Sequence, residues 1–241
     1  FERGYIPERE IGRSLRFGDA DALVEMTEKL GRGEGFGAIL ALGGARVAER
    51  YGHPELFMGV KKQAFAAYDG RGAQGMALGY ATSNRGACHL RGYTISAEVF
   101  GVPQKVDPFT IEGKAAMSKA SQDVTAFVDS TGACLFTTFA LEPADLHAML
   151  ELATGVGYTL DEVLQIGERI WNLERLFNLR AGLSSKDDTL PRRILEEPIP
   201  AGPAKGKVAR LGEMLPEYYR LRGWDPQGVP TPEKLKELDL I

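Results

Sequence analysis

The residues most able to do chemistry lie close together in Ser83-Asn84-Arg85-Gly86-Ala87-Cys88-His89-Leu90-Arg91-Gly92-Tyr93-Thr94. This stretch holds a Cys, a His and two Arg between glycines, in a chain with only 2 Cys and 3 His. Four readings compete: a metal site, a nucleophile with its base, an anion-holding loop, or a tightly packed turn. Cys88 and His89 are sequence neighbours, and adjacent side chains usually diverge, so Cys88 reads as packing rather than as a nucleophile. A structural zinc site needs four clustered ligands at recognisable spacings, which two distant Cys and three His do not supply. Arg85 and Arg91 flank His89, while Gly86 and Gly92 permit close backbone approach. Guanidinium groups can grip phosphate in a bidentate way. Neighbouring cations also disfavour imidazolium and leave a neutral His able to exchange a proton near neutral pH. The residues therefore favour an anion-holding loop with a titratable His89.

The second cysteine, Cys134, follows Asp129-Ser130-Thr131-Gly132-Ala133. One reading is a helix stop with a buried Cys. The other is a ligand loop, with Asp129 accepting hydrogen bonds from a cofactor and Cys134 holding metal. An iron–sulfur cluster normally takes four thiolates, more than this chain carries. Two charged stretches complete the set of candidates. "LERLFNLRAG" reads as a solvated helix face with intrahelical pairs, and "SSKDDTLPRR" as a turn followed by a helix start.

Composition narrows the classes. The chain has 241 residues, 44% hydrophobic and 26% charged, with a net charge of −4. That is enough for a substantial core in one large or two small domains. No basic run asks for nucleic acid. The longest apolar run, near Phe36–Leu42, is far too short to span a bilayer. The polar start, "FERGYIPERE", does not resemble a signal peptide. A soluble, cytoplasmic protein with reduced cysteines is expected. Phe1 in first place fits a processed or trimmed chain, or a piece of something longer.

The elements that must position these residues read as helices. Asp19 is a cap candidate for a helix over Ala20–Leu30, with glycines at 31 and 33 as its stop. Phe36–Gly52 reads as the next helix, weakened by Gly43-Gly44. Val60–Tyr68 is a short strand or an extended connector. A helix rich in small residues over 72–84 leads into the His89 loop. Thr110 is expected to cap a helix carried by Lys114–Val128, with Glu112 in its first turn. Pro143 opens another helix and Gly155 closes it. Thr159 with Glu162 forms a capping-box pattern, and Val163, Ile166, Ile170, Leu173 and Phe177 are expected to line one face of the helix that follows. Glu196–Gly206 is a Pro/Gly-rich loop. A helix over 209–223 contains Pro216, and Thr231-Pro232 starts a last short one. No series of alternating strands appears, so the fold class is mainly α. Two helical domains, 1–105 and 106–241, are expected.

Several of these stretches resemble one family in the same order. "YDGRGAQGMALGYATSNRGACHLRGYT", "KVDPFTIEGKA", "DSTGACLFTTFAL", "IGERIWNLERLFNLRAG" and "KDDTLPRRILEEP" are similar to the tungsten-containing aldehyde:ferredoxin oxidoreductases. The resemblance implies domains 2 and 3 of that family, with the N-terminal β-rich domain absent. It implies a tungsten (or molybdenum) atom held by two pterins, one [4Fe-4S] cluster, an aldehyde substrate and ferredoxin as electron acceptor. The family's Asp-x-x-Gly-Leu-Cys motif appears as Asp129 to Cys134, with Ala133 in place of Leu. On this resemblance Arg85, Gly86, Arg91, Asp129, Ala133 and Leu135 bind cofactor, Cys134 is one cluster ligand, and His89 is the active-site His. The family's C-x-x-C-x-x-x-C run, its first pterin motif and its catalytic Glu do not occur in this chain. A partner domain or subunit carrying them is therefore expected, and a homodimer is possible. The alternatives are a relative with different chemistry, such as acid or thioester reduction, and a non-catalytic helical subunit.

Overall fold

The computed structural model describes Phe1 and residues 3–241. Its helices are α1 (Glu8–Ile11), α2 (Ala20–Arg32), α3 (Phe36–Leu40), α4 (Gly44–Arg50), α5 (Gln74–Thr82), α6 (Lys114–Ser130), α7 (Pro143–Thr154), α8 (Leu160–Arg180), α9 (Arg192–Glu196), α10 (Leu211–Arg222) and α11 (Pro232–Glu237). The one sheet among the described residues is a hairpin of β1 (Gly59–Val60) and β2 (Gln63–Ala64), paired antiparallel. The mainly α class is thus what the chain adopts. Among the described residues no helix is long and apolar enough to cross a membrane.

Local signals set several helix ends. The Asp19 carboxylate accepts from the Ala22 N–H at 2.8 Å, and left-handed Gly33 closes α2. At the start of α8 the Thr159 hydroxyl accepts from the Glu162 N–H at 3.2 Å, while Glu162 accepts from the Thr159 N–H at 2.7 Å. Thr231 caps α11 through the Lys234 N–H. Such caps satisfy N–H groups that have no partner within the helix.

Two expectations are corrected. The Phe36–Gly52 segment is two helices, because Gly43 at φ +83° turns the chain between α3 and α4. Thr110 does not cap α6: the helix starts at Lys114, after Gly113 in the left-handed region at φ +72°. Thr110 and Glu112 lie in the turn before it.

A third correction concerns the buried face of α8. Val163 is buried as expected, but the stripe continues through Gly167, Trp171 and Arg175. Leu173 and Phe177 are 56% and 71% exposed. Gly167 explains the shift. A Cβ there would stand 2.0 Å from the Asp123 carbonyl oxygen, so α8 presses its backbone against α6 at this point. The face containing Gly167 must therefore be the inner one.

The main core joins Met76, Leu78 and Tyr80 of α5 to Ile95, Trp171 and Tyr218. This cluster draws on both sides of the 105/106 division expected from the sequence. Smaller clusters form around Ile11, Met26 and Phe36, and around Phe127, Leu146 and Val163.

At the centre, every residue of α5 is buried and none is charged. Its N-terminal N–H groups are satisfied from a distance. The Glu98 carboxylate accepts from Gly75 N–H at 2.8 Å and Met76 N–H at 3.1 Å. Lys114 neutralises it at 2.7 Å, and the Thr94 hydroxyl donates to it at 3.0 Å. At the other end, Lys61 Nζ donates to the Ala81 carbonyl at 2.7 Å and to Asp188 at 2.9 Å. Burial pulls the Lys61 pKa down, against the opposing charge of Asp188. Asp188 also takes a paired contact from Arg175, at 3.1 and 2.7 Å, and the Tyr219 hydroxyl at 2.6 Å. The stretches carrying Arg175 and Asp188 read as a solvated helix face and a turn; both side chains are in fact buried.

Removing one partner of a buried ion pair strands the other charge. Replacing Glu98 by Ala leaves Lys114 uncompensated and two helix N–H groups without an acceptor. A loss of about 3–5 kcal/mol in urea unfolding is expected. An unchanged midpoint would show that α5 does not need this carboxylate.

Candidate functional site

The loop from Ser83 to Thr94 begins where α5 ends and lies against α8. Asn84 fixes its entry. Its side-chain NH₂ donates to the Trp171 backbone carbonyl at 3.0 Å, and its backbone carbonyl accepts from the Asn178 side chain at 2.6 Å. Gly86, at φ +101°, has a backbone reason to be glycine. A Cβ there would stand 2.8 Å from both Gln63 Cβ and the Val60 carbonyl oxygen, so the β1–β2 hairpin packs directly on it. Gly92, at φ +105°, is pressed in the same way by the Gln122 side chain, at 2.7 Å.

Cys88 is buried, and the exposed Arg85 donates to its sulfur at 2.9 Å. Arg91 is largely buried. Its Nη2 reaches both oxygens of Glu174, at 3.0 and 2.9 Å, and its guanidinium lies over the Trp171 ring with 5.3 Å to the centroid. Its Nε is 3.6 Å from Asp129, at the last turn of α6, and makes no hydrogen bond. The Asn84 side-chain oxygen and the Ser83 hydroxyl are buried and unpartnered too. Arg91 and Asp129 are thus brought together, as a pair with hydrogen-bonding capacity to spare.

His89 sits in an aromatic cluster. Its ring centroid is 5.5 Å from Tyr68 and 6.0 Å from Tyr93. The two phenol oxygens are 2.9 Å apart and share a hydrogen bond. Burial is the larger cause that lowers the His89 pKa, and the charge of Arg85 adds to it. Burial and the bond to Tyr68 push Tyr93 up to about 12. Near neutral pH this places a neutral imidazole beside a protonated phenol.

Tyr93 also faces Phe139, at 6.0 Å between centroids. The two rings stand on the wall of a cleft of about 820 Å³ between the 93–103 segment and the 135–146 segment. Met117, Val124, Leu141 and Leu146 supply much of its apolar lining, with hydroxyls from Thr94 and Thr125. Leu135, a predicted cofactor contact, lines this cleft. Ala133 packs at the edge of the Phe127 cluster.

Cys134 is exposed, not buried, and starts the short 3₁₀ turn Leu135–Phe139. Among the described residues, no three His, Cys, Asp or Glu side chains gather as a metal site. Cys134 alone therefore does not fit a complete iron–sulfur cluster, which takes four thiolates. The pterin fits better. A ring bearing several donors and acceptors matches a buried guanidinium N–H and a carboxylate 3.6 Å apart, neither fully engaged.

Three side chains of this site escaped the sequence reading. Tyr93 lies inside the His89 loop but carried no spacing signal. Tyr68 is 21 residues from His89 in the chain, and only the fold brings the rings together. Glu174 was grouped with a solvated helix face.

Residues 1–240 of the 241 match the family model described as aldehyde ferredoxin oxidoreductase, domains 2 and 3. It is 54% identical over its full length to the tungsten-containing aldehyde ferredoxin oxidoreductase of Pyrococcus abyssi and 52% identical to that of Pyrococcus furiosus. In each case it spans 40% of the relative's length. A more distant relative, at 28% identity, is the aliphatic sulfonate oxidoreductase, WOR-like subunit, of Pyrococcus furiosus, of which the chain covers 38%. Among solved structures, the active-site complex BamBC of benzoyl coenzyme A reductase, in complex with 1,5-dienoyl-CoA, superposes with a TM-score of 0.68 at 19% identity. That match covers 99% of this chain and 41% of the other, and it speaks to the fold.

The electrostatics of His89 are open to direct measurement. In an NMR titration its ring should protonate below the ordinary value of 6.5, so the neutral form persists to lower pH. Arg85→Ala should move the midpoint part of the way back up, because burial, the larger cause, remains. A midpoint at or above the ordinary value would reject this account of the site.

Proposed function

The chain belongs to the aldehyde ferredoxin oxidoreductase family, and from that premise we propose that it is the helical wall of a tungsten–pterin oxidoreductase converting aldehydes to carboxylates. The observation that carries this reading is the arrangement of one loop. Its Arg91 Nε is buried and unpartnered beside Asp129, and two residues earlier His89 stands against a pair of tyrosines. A cofactor-holding pair and a proton-handling cluster are thereby adjacent in the chain.

When bound, the tungsten–pterin group supplies the acceptor for the two electrons. The overall change is aldehyde plus water to carboxylate, three protons and two electrons. The part of this chain is to hold, orient and move protons. Arg91 and Asp129 hold the pterin through charge-assisted hydrogen bonds. Tyr68 and Tyr93 share one hydrogen bond, so one O–H of the pair remains free to donate to the aldehyde oxygen. Neutral His89 accepts one of the released protons as a general base, and its lowered pKa keeps the imidazole unprotonated and able to accept. The apolar cleft beyond Tyr93 and Phe139 takes the carbon tail of the substrate and keeps water from it.

Cys134 is the candidate for one thiolate of the [4Fe-4S] cluster, and the other ligands would come from the remaining length of the longer protein. The N-terminal domain, or a subunit in its place, would supply the opposite wall. Ferredoxin is the proposed electron acceptor and the cytoplasm the proposed location. A second reading keeps the scaffold and changes the substrate. It is favoured by the relative named for aliphatic sulfonates, which also matches over the entire chain.

Two measurements test these readings. In the full-length enzyme, His89→Ala should lower turnover by roughly 10²–10⁴-fold while tungsten content stays near normal. Unchanged turnover would remove His89 from the reaction. An anaerobic panel of aldehydes, carboxylic acids and alkyl sulfonates should give the highest kcat/KM with uncharged apolar aldehydes. A preference for sulfonates would favour the second reading.

A further inference from the structure

Glu174 lies on α8, less than one turn beyond Trp171, and faces the loop rather than its own helix. Both of its oxygens are taken by one nitrogen, Nη2 of Arg91, at 3.0 and 2.9 Å. The Asn84 side chain adds a third contact at 3.3 Å and ties the same carboxylate to the start of the loop. Arg91 is thus held at one tip by Glu174 and across its face by the Trp171 ring, at 5.3 Å. These two contacts leave Nε unused. It is buried, lacks a hydrogen-bond partner, and stands 3.6 Å from the Asp129 carboxylate.

An ion pair at a protein surface usually contributes little, because solvent screens it and two long side chains must be ordered. This pair differs in what it orders. The Arg91 side chain is only 11% exposed, and its partner comes from a helix 83 residues away in sequence. A buried donor without a partner is unfavourable by itself, so an arrangement that keeps one has a use for it. An arginine whose fork is fixed before the ligand arrives loses less side-chain entropy on binding.

We propose that Glu174 is a positioning residue. It fixes the Arg91 guanidinium over Trp171 so that Nε, together with the Asp129 carboxylate, presents a donor and an acceptor side by side to the edge of the pterin ring. This rests on the proposed function, in which Arg91 and Asp129 hold that ring. Glu174 itself does not touch the cofactor. It acts by keeping Arg91 from turning toward solvent or closing a direct hydrogen bond with Asp129.

The test uses the full-length holoenzyme and the variants Glu174→Ala, Glu174→Gln and Arg91→Ala. Tungsten and released pterin per chain are measured after extended anaerobic dialysis, alongside iron per chain and the thermal midpoint. Outer partners that orient a ligating group are typically worth 10–100-fold in affinity, so tungsten and pterin retained by Glu174→Ala should fall on the order of tenfold. Iron content and thermal midpoint should stay at wild-type values. Glu174→Gln, which keeps one acceptor for Nη2, should retain more than the Ala variant. If Arg91→Ala loses pterin and Glu174→Ala keeps it, the positioning role is overturned and the proposed function stands. If Arg91→Ala also keeps its pterin, the reading of Arg91 as a cofactor holder fails, and the role of Glu174 with it. If tungsten, iron and thermal midpoint fall together in Glu174→Ala, the residue is a structural pin and the proposal is overturned.

Discussion

The fold depends on how α5 is held at its two ends. This helix is buried along its whole length and brings no charge of its own. A buried helix end with no partner for its backbone groups is strongly unfavourable. Here Glu98 closes one end and Lys61 the other. Each is a buried charge that must itself be neutralised, Glu98 by Lys114 of α6 and Lys61 by Asp188. Asp188 in turn gathers Arg175 of α8 and Tyr219 of α10. The need to cap one apolar helix thereby fixes a hairpin, three further helices and the loop that follows α5. The candidate site lies on that loop.

The same arrangement explains why the polar and apolar parts of the site stay apart. The loop leaves α5 beside Trp171 and keeps Arg91 against α8. His89 and Tyr93 are thrown to the other side, toward Tyr68 and Phe139. One short segment thus serves two environments. A rim of guanidinium and carboxylate suits a polar ring, and an aromatic wall suits a carbon chain. Burial of His89 follows from the second environment and keeps its imidazole neutral where a solvated one would begin to protonate.

Much of this was legible where the signal is local. Asp19, Thr159 with Glu162, and Thr231 with Pro232 cap the helices they announce, because a cap is made by residues three apart. The grouping of Arg85, His89 and Arg91 in one Gly-bounded loop was also visible. What could not be read is decided over long distances. Thr110 looked like a cap, but Lys114 is drawn inward by Glu98 and the helix begins at it. Leu173 and Phe177 have the spacing of a core stripe, yet Gly167 turns that face of α8 outward by touching α6. Arg175 read as part of a solvated helix face and Asp188 as part of a turn, because nothing in their own stretches reveals that they pair with each other and that Asp188 pairs with Lys61. Tyr68 meets His89 only through the fold, and the residues proposed to hold the pterin were named by resemblance rather than by any spacing rule.

The contact at Gly167 reaches beyond the packing of two helices. Asp123, the residue it touches, lies six positions before Asp129 on α6, roughly 9 Å along the helix axis at 1.5 Å per residue. Asp129 is at the end of the lever whose fulcrum is that contact, and Cys134 follows within one loop. Any side chain at position 167 would tilt the lever and move both residues at once. Diversification aimed at a new substrate thus has unequal freedom across the molecule. The cleft lining at Val124, Leu141 and Leu146 offers side chains to exchange, whereas Gly167, which lines no part of that cleft, has to stay as it is.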